Sequence, residues 1–147
     1  SGYIISSPTV FNNVVYIGSA DGNLYAINTA DGSLKWKFPT QDKVNSSPFV
    51  HNGIVYIGSL DKNLYAINIS DGSLKWKFPT NGEIWSSPLI FNNTAYIGSY
   101  DGKAYAINIT NGVKRWDFNM GIRTRASPCI ATKNGNVFYS SLSGNQQ

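Results

Sequence analysis

A stretch of 40 residues recurs in register along the chain, and that period constrains the fold more than any other feature. Ser6–Asn45, Ser46–Trp85 and Ser86–Arg125 align without a gap, with 27 identities in 40 between the first two units and 17 in 40 between the second and third. A fourth unit opens at Ala126-Ser127-Pro128 and runs over residues 126–147, about half a period. Repeats of this kind bury their apolar faces against their neighbours, so the chain reads as one stack over 1–147.

Within a unit the local signals are strand and turn throughout. Ser46-Ser47-Pro48-Phe49-Val50 predicts a first strand, closed by Asn52-Gly53, a pair that tolerates positive φ and so favours a tight hairpin. Ile54-Val55-Tyr56-Ile57-Gly58-Ser59 is rich in β-branched and aromatic residues and meets a turn at Asp61-Lys62. Asn63–Asn68 predicts a third strand ending at Asp71-Gly72, and Ser73–Phe78 alternates with period two before stopping at Pro79. No apolar spacing of three and four is sustained, which excludes amphipathic helices. Each unit is therefore expected to be a four-stranded antiparallel meander.

Strand-only repeats build either a β-propeller, with one blade per repeat, or a β-solenoid. Propeller repeats run at about 40 to 50 residues with four strands, whereas β-helix repeats are much shorter, so the period favours the propeller. Composition agrees with a packed β domain: 41% of residues are hydrophobic and 14% aromatic. Aromatics recur at Tyr16/Tyr56/Tyr96, Tyr25/Tyr65/Tyr105, Trp36/Trp76/Trp116 and Phe38/Phe78/Phe118, as groups that fill the space between facing sheets.

Several function classes fall away on residue counts. The single Cys129 has no intrachain partner, which excludes a disulfide scaffold and any zinc site built from two cysteines. No apolar run approaches the roughly 20 residues of a membrane-spanning helix, so no membrane insertion is expected. Residues from Ser1 onward lack the pattern of a signal peptide. The net charge of +4 invites a nucleic-acid reading, but the basic residues form no arm or cluster. Lys35, Lys37, Lys75 and Lys77 instead flank Trp36 and Trp76 in alternation, the pattern of an outer edge strand whose lysines discourage edge-to-edge pairing. No nucleic-acid partner is expected.

The corner between the third and fourth strands carries a more specific signal. Ala26, Gly32 and Trp36 recur as Ala66, Gly72 and Trp76, and again as Ala106, Gly112 and Trp116, at the first, seventh and eleventh places of a short motif. This resembles the tryptophan-docking motif of the quinoprotein-type, PQQ-like β-propeller family, and the likeness covers nearly the whole chain. In physical terms Ala leaves room for an indole and Gly permits a left-handed turn with close backbone approach. Trp spans the gap to the neighbouring blade with its N–H turned to a carbonyl. The family contains quinoprotein dehydrogenases as well as a propeller lipoprotein that helps to assemble outer-membrane β-barrels. The resemblance implies a periplasmic, secreted or cell-surface location.

The enzymatic branch of the family fits poorly. Those dehydrogenases hold the quinone PQQ over a calcium ion, near an Asp base and commonly a disulfide between adjacent cysteines. Here Asp21, Asp31, Asp61, Asp71 and Asp101 sit at repeating turns, where a carboxylate capping its own backbone is the simpler role, and no Cys pair exists. His51, the only histidine, is expected in an exposed turn, and Cys129 in the small-residue core of the fourth unit. No catalytic residue, bound metal or cofactor is expected; PQQ with calcium belongs only to the alternative of a dehydrogenase fragment.

Function in a repeat protein resides where the repeats differ. The connections Gln41–Asn45, Asn81–Trp85 and Gly121–Arg125 differ most, and in a propeller they gather at one face around the channel mouth. Lys43, Glu83, Trp85, Arg123 and Arg125 are the candidate contact residues, Trp and Arg being the types enriched at interface hot spots. A second variable place, Ala20, Leu60 and Tyr100, reads as surface-exposed and less telling. The expectation is an all-β partial propeller of three full blades and half a fourth, serving as a non-catalytic scaffold for protein partners. A glycan or other small-ligand platform at Trp85 is a further alternative. Four blades of 40 residues need about 160, and propellers close with about four to eight blades, so the 147 residues read as an excised piece or as a ring completed by self-association through exposed blade faces.

Overall fold

The computed structural model of the chain describes residues 3–131 and 136–138. Its described residues form strands and no helix. The first sheet contains β1 (Thr9–Phe11), β2 (Val14–Gly18), β3 (Asn23–Asn28) and β4 (Leu34–Pro39). The second contains β5 (Phe49–His51), β6 (Ile54–Gly58), β7 (Asn63–Asn68) and β8 (Leu74–Pro79). The third contains β9 (Leu89–Phe91), β10 (Thr94–Gly98), β11 (Lys103–Asn108) and β12 (Lys114–Asn119). Each is an antiparallel meander in chain order, and the hairpin of β13 (Cys129–Ala131) and β14 (Asn136–Phe138) follows. The architecture is that of a partial β-propeller. The rest of the fourth unit, 132–135 and 139–147, lies outside the described residues.

The hairpin turns follow from their residues. Asn52 and Gly53 take φ of 47° and 75°, and the corresponding pairs Asn12/Asn13 and Asn92/Asn93 also have both φ positive. Two consecutive left-handed residues make a type I′ turn, whose twist matches that of the flanking strands.

The first strand of each blade is shorter than the sequence predicts. It begins at Phe49, not Ser46, because Ser46-Ser47-Pro48 is engaged otherwise. Ser46 Oγ donates to the carbonyl of Gly58 at 2.8 Å and accepts from its N–H at 2.8 Å, tying the incoming chain to β6. Ser47 works between blades. Its Oγ accepts the N–H of Ser7 at 2.9 Å, while its own N–H donates to Ser87 Oγ at 2.8 Å, and Ser87 N–H donates in turn to Ser127 Oγ at 2.8 Å. Pro48 has no N–H to give a sheet ladder, so the segment is free to link blades instead.

The remaining inter-blade contacts are apolar. Two core clusters form, one shared by the first and second sheets and one by the second and third. Trp36 and Trp76 are the largest members of each bridge. Trp36 Nε1 donates to the carbonyl of Ile69 at 3.0 Å, and Trp76 Nε1 to that of Ile109 at 2.9 Å, each 33 residues ahead in the next blade. The indoles lie against Gly72 and Gly112, where a Cβ would meet Trp36 Cδ2 and Trp76 Cδ2 at 2.8 Å. Both glycines hold positive φ, 75° and 72°, so two constraints converge on the same residue. Ala26, Ala66 and Ala106 are buried and pair in register with Trp36, Trp76 and Trp116 of their own sheets.

The two outermost copies of the motif differ. Trp116 stacks on Tyr96 at 6.0 Å between centroids yet is 43% exposed, and Gly32 has nothing within 4 Å of its Cβ position. Lys35, Lys37, Lys75 and Lys77 are exposed on β4 and β8, with Trp36 and Trp76 buried between them. Two expectations need correction. His51 closes β5 opposite Ile54 and is half-buried, because the hairpin turn is made by the two residues after it. Cys129 is exposed, because no described sheet packs over the far side of β13 and β14.

Candidate functional site

Antiparallel strands alternate direction, so the loop entering a blade and the turn between its second and third strands meet at the same end. The entering loops are pinned from beneath. Val44 and Ile84 are fully buried, and their N–H groups donate to the carbonyls of Ser19 and Ser59 at 3.0 and 3.1 Å; Thr124 is buried at the equivalent place. A second set of bonds draws the strand turn in: the N–H groups of Ala20, Leu60 and Tyr100 donate to the carbonyls of Tyr3, Lys43 and Glu83 at 2.9, 3.0 and 2.8 Å. Tyr100 therefore stands beside Glu83 on this face.

With residues 44, 84 and 124 turned inward, the flanking Lys43, Glu83, Trp85, Arg123 and Arg125 stay at least partly exposed while Asn45 is buried, and neighbours one repeat apart touch. Lys43 Nζ lies 3.4 Å from Tyr3 Oη and 5.5 Å from its ring centroid. At the third junction the contacts are denser. Arg125 Cζ sits 4.3 Å from the Trp85 centroid and 5.3 Å from that of Tyr100, and Arg123 Cζ sits 5.0 Å from Tyr100. Trp85 Nε1 donates to Glu83 Oε2 at 2.6 Å, which occupies one carboxylate oxygen. Hydrogen bonding from Arg123, then from Arg125, together with their positive charge, holds the Tyr100 hydroxyl below the usual tyrosine value.

The structure thus brings Glu83, Trp85, Arg123 and Arg125 together and sets Lys43 at a different junction. It also adds Tyr100, which the sequence reading had set aside as an exposed residue of little note. Tyr100 is half-buried and Leu60 is 8% exposed, because the turn folds onto the loop through the backbone bonds just described. The signal available in the sequence was topological: residues 83 and 100 sit at the same end of one meander.

Two further features mark this face. Asn45, the counterpart of Trp85 and Arg125 one and two repeats back, is 7% exposed, and neither its Nδ2 nor its Oδ1 has a hydrogen-bond partner. At the first junction a cleft of about 260 Å³ is lined by residues including Ala20, Asp21, Thr40, Asp42 and Lys43.

The turn carboxylates are committed elsewhere. Asp61 accepts the N–H of Asn63 at 3.0 Å, the Tyr65 hydroxyl at 2.7 Å and the N–H of Gln41 at 3.0 Å; Asp101 does the same with Lys103, Tyr105 and Asn81. For Asp21, burial favours the neutral acid, but hydrogen bonds from Tyr25, Asn23 and Ser19 outweigh it and hold the carboxyl at about 2. Asp31 and Asp71 cap Ser33 and Ser73.

A family model described as the outer membrane protein assembly factor BamB matches residues 3–146. The chain belongs to the BamB family. Among solved structures, BamB from Moraxella catarrhalis superposes with a TM-score of 0.77 at 19% identity, covering 88% of this chain and 41% of that one. The quinohemoprotein alcohol dehydrogenase of Comamonas testosteroni gives 0.71 at 22% identity, with coverage of 79% and 21%. The computationally designed Ika4 protein gives 0.73 at 20% identity, with coverage of 90% and 89%. The chain thus spans less than half the length of the BamB and dehydrogenase structures. No curated protein shows significant similarity. Likeness at these identities shows the propeller fold, shared by BamB and the dehydrogenase alike.

The dehydrogenase likeness raises the question of a calcium-bound quinone. Calcium takes about six to eight oxygen ligands converging on one point. The turn carboxylates here each close their own turn, and among the described residues no three His, Cys, Asp or Glu side chains gather where they could hold a metal ion. Among the described residues of this BamB-family chain, the turn carboxylates therefore do not converge as a calcium ion would require.

Proposed function

We propose that the chain is a non-catalytic scaffold that binds a protein partner through the loop face of the propeller. The supporting observation is the cluster of Trp85, Tyr100, Arg123 and Arg125. Large aromatic and guanidinium groups are held in place by mutual stacking, at the positions where the repeats diverge. Stacking restricts the long arginine side chains before any partner arrives, so less conformational freedom is lost on binding. Family membership supports a periplasmic or cell-surface setting, and BamB is by its name an assembly factor. No described helix is long and apolar enough to cross a membrane.

The test compares proteins retained from the native host's envelope fraction by the immobilised wild-type chain and by a Trp85→Ala/Arg125→Ala variant with an unchanged thermal midpoint. A protein enriched on the wild type and lost from the variant is the expected result. Identical retention by both, or quinone absorbance after addition of PQQ and calcium, would remove the scaffold reading.

A further inference from the structure

Arg123 and Arg125 are both exposed, and neither forms an ion pair among the described residues. The ion pairs that do occur lie elsewhere, at Asp117, which holds Lys103 and Lys114 at 2.9 and 2.6 Å. Within the cluster the one carboxylate, Glu83, is turned to the indole N–H of Trp85. Two cations thus share a small patch with a single anion that is already engaged.

Their donors outnumber the acceptors beside them. A guanidinium carries five N–H donors, more than the single Tyr100 hydroxyl can take. Arg125 over Trp85 at 4.3 Å, and Arg123 over Tyr100 at 5.0 Å, bring two such groups together from alternate positions of one loop. The edge of a guanidinium matches a carboxylate in a two-bond fork. Arg125 also takes one face of Trp85 that a sugar ring would use, which disfavours a carbohydrate occupant.

We infer that the Arg123/Arg125 pair, braced by Tyr100 and Trp85, is a carboxylate-binding site for an acidic segment of the partner protein. The inference rests on the scaffold reading and names the chemistry of what docks there. The acidic side chain forks onto the arginines.

The probe is a fluorescein-labelled hexapeptide of alternating Asp and Glu, with an Asn/Gln peptide of equal length as the neutral control, titrated by anisotropy into the full chain. The acidic peptide is expected to bind and the neutral one to bind at least tenfold more weakly. Arg123→Gln and Arg125→Gln are each expected to weaken the acidic peptide about tenfold, the loss of a charge-assisted hydrogen-bonded pair. Lys75→Gln, on an exposed outer edge far in sequence from the loop, should leave binding unchanged. Equal losses in Lys75→Gln and Arg125→Gln would reduce the site to general attraction by a basic chain and overturn it. Tighter binding of a labelled oligothymidylate through the same arginines would overturn it in favour of phosphate. If the acidic peptide fails while Trp85→Ala/Arg125→Ala still loses a protein from the envelope fraction, this inference falls and the scaffold reading stands.

Discussion

Three glycines in equivalent turns offer an internal experiment on what holds the blades together. Gly32, Gly72 and Gly112 have φ of 72°, 75° and 72°, so a Cβ at any of them incurs the same left-handed backbone penalty of about 1–2 kcal/mol. Their surroundings differ. At Gly72 and Gly112 the added Cβ would stand 2.8 Å from an indole carbon of Trp36 or Trp76, whereas at Gly32 nothing lies within 4 Å. Each indole is fixed by its N–H bond to a backbone carbonyl and cannot withdraw without releasing it. Overpacking adds about 1–3 kcal/mol, and a lost hydrogen bond about 1 kcal/mol. Gly72→Ala and Gly112→Ala are therefore expected to cost about 3–6 kcal/mol, and Gly32→Ala only about 1–2. Urea unfolding of the 147-residue chain followed by far-UV circular dichroism reads the difference, with slopes compared to establish that one transition is being measured. A Trp36→Ala background supplies the control: the indole is gone, so Gly72→Ala should retreat to the penalty of Gly32→Ala. Equal costs at all three glycines, or a Gly72→Ala penalty that survives the loss of Trp36, would refute the claim that indole docking rather than turn geometry selects glycine at 72 and 112.

Other consequences are testable with the same assay. Lys62 sits at φ 74° where the equivalent turns have Gly22 and Gly102, so Lys62→Gly should stabilise the chain by about 1 kcal/mol; a destabilised variant would show that the lysine stem makes a compensating contact. Asn45 buries an unsatisfied amide, and Asn45→Leu should raise the urea midpoint by an amount corresponding to about 1–2 kcal/mol; an unchanged midpoint would mean that solvent already satisfies the amide. Burial pushes the Tyr56 hydroxyl up to about 12, and burial with Asp61 and Asp101 nearby pushes Tyr65 and Tyr105 higher still. The folded state keeps protons that the unfolded chain gives up near pH 10. Stability is therefore full below that value and falls as pH rises from about 10 toward 12, by about 2–3 kcal/mol for Tyr56 alone. A urea midpoint that stays level between pH 9 and 11, or one that declines equally in Tyr56→Phe, would contradict this.

How much of this was legible in the sequence depends on whether a feature lies within one repeat or between two. The meander, its tight hairpin turns and the alternation of Trp76 with Lys75 and Lys77 are local, set by Asn52-Gly53, by β-branched runs and by period two, and all are legible in the sequence. The strand start moved from Ser46 to Phe49 because Ser47 bonds Ser7 and Ser87, partners 40 residues away whose distance in space no local pattern encodes. The candidate face shows the same division more sharply. Glu83, Trp85, Arg123 and Arg125 were visible as departures from the repeat, since divergence is a property of aligned positions. Tyr100 was visible too, as a variable place with Ala20 and Leu60, but read as surface-exposed and less telling. Its weight comes from a bond between unlike positions, Tyr100 N–H to the Glu83 carbonyl, which brings a turn of the third blade under the arginines that lead into the fourth. An alignment of repeats compares like with like, and a site assembled from unlike positions of adjacent blades falls between its columns. The orphaned amide of Asn45 was hidden for the same reason: whether an Asn is satisfied depends on what the neighbouring blade presents to it, and there the neighbour presents nothing that bonds.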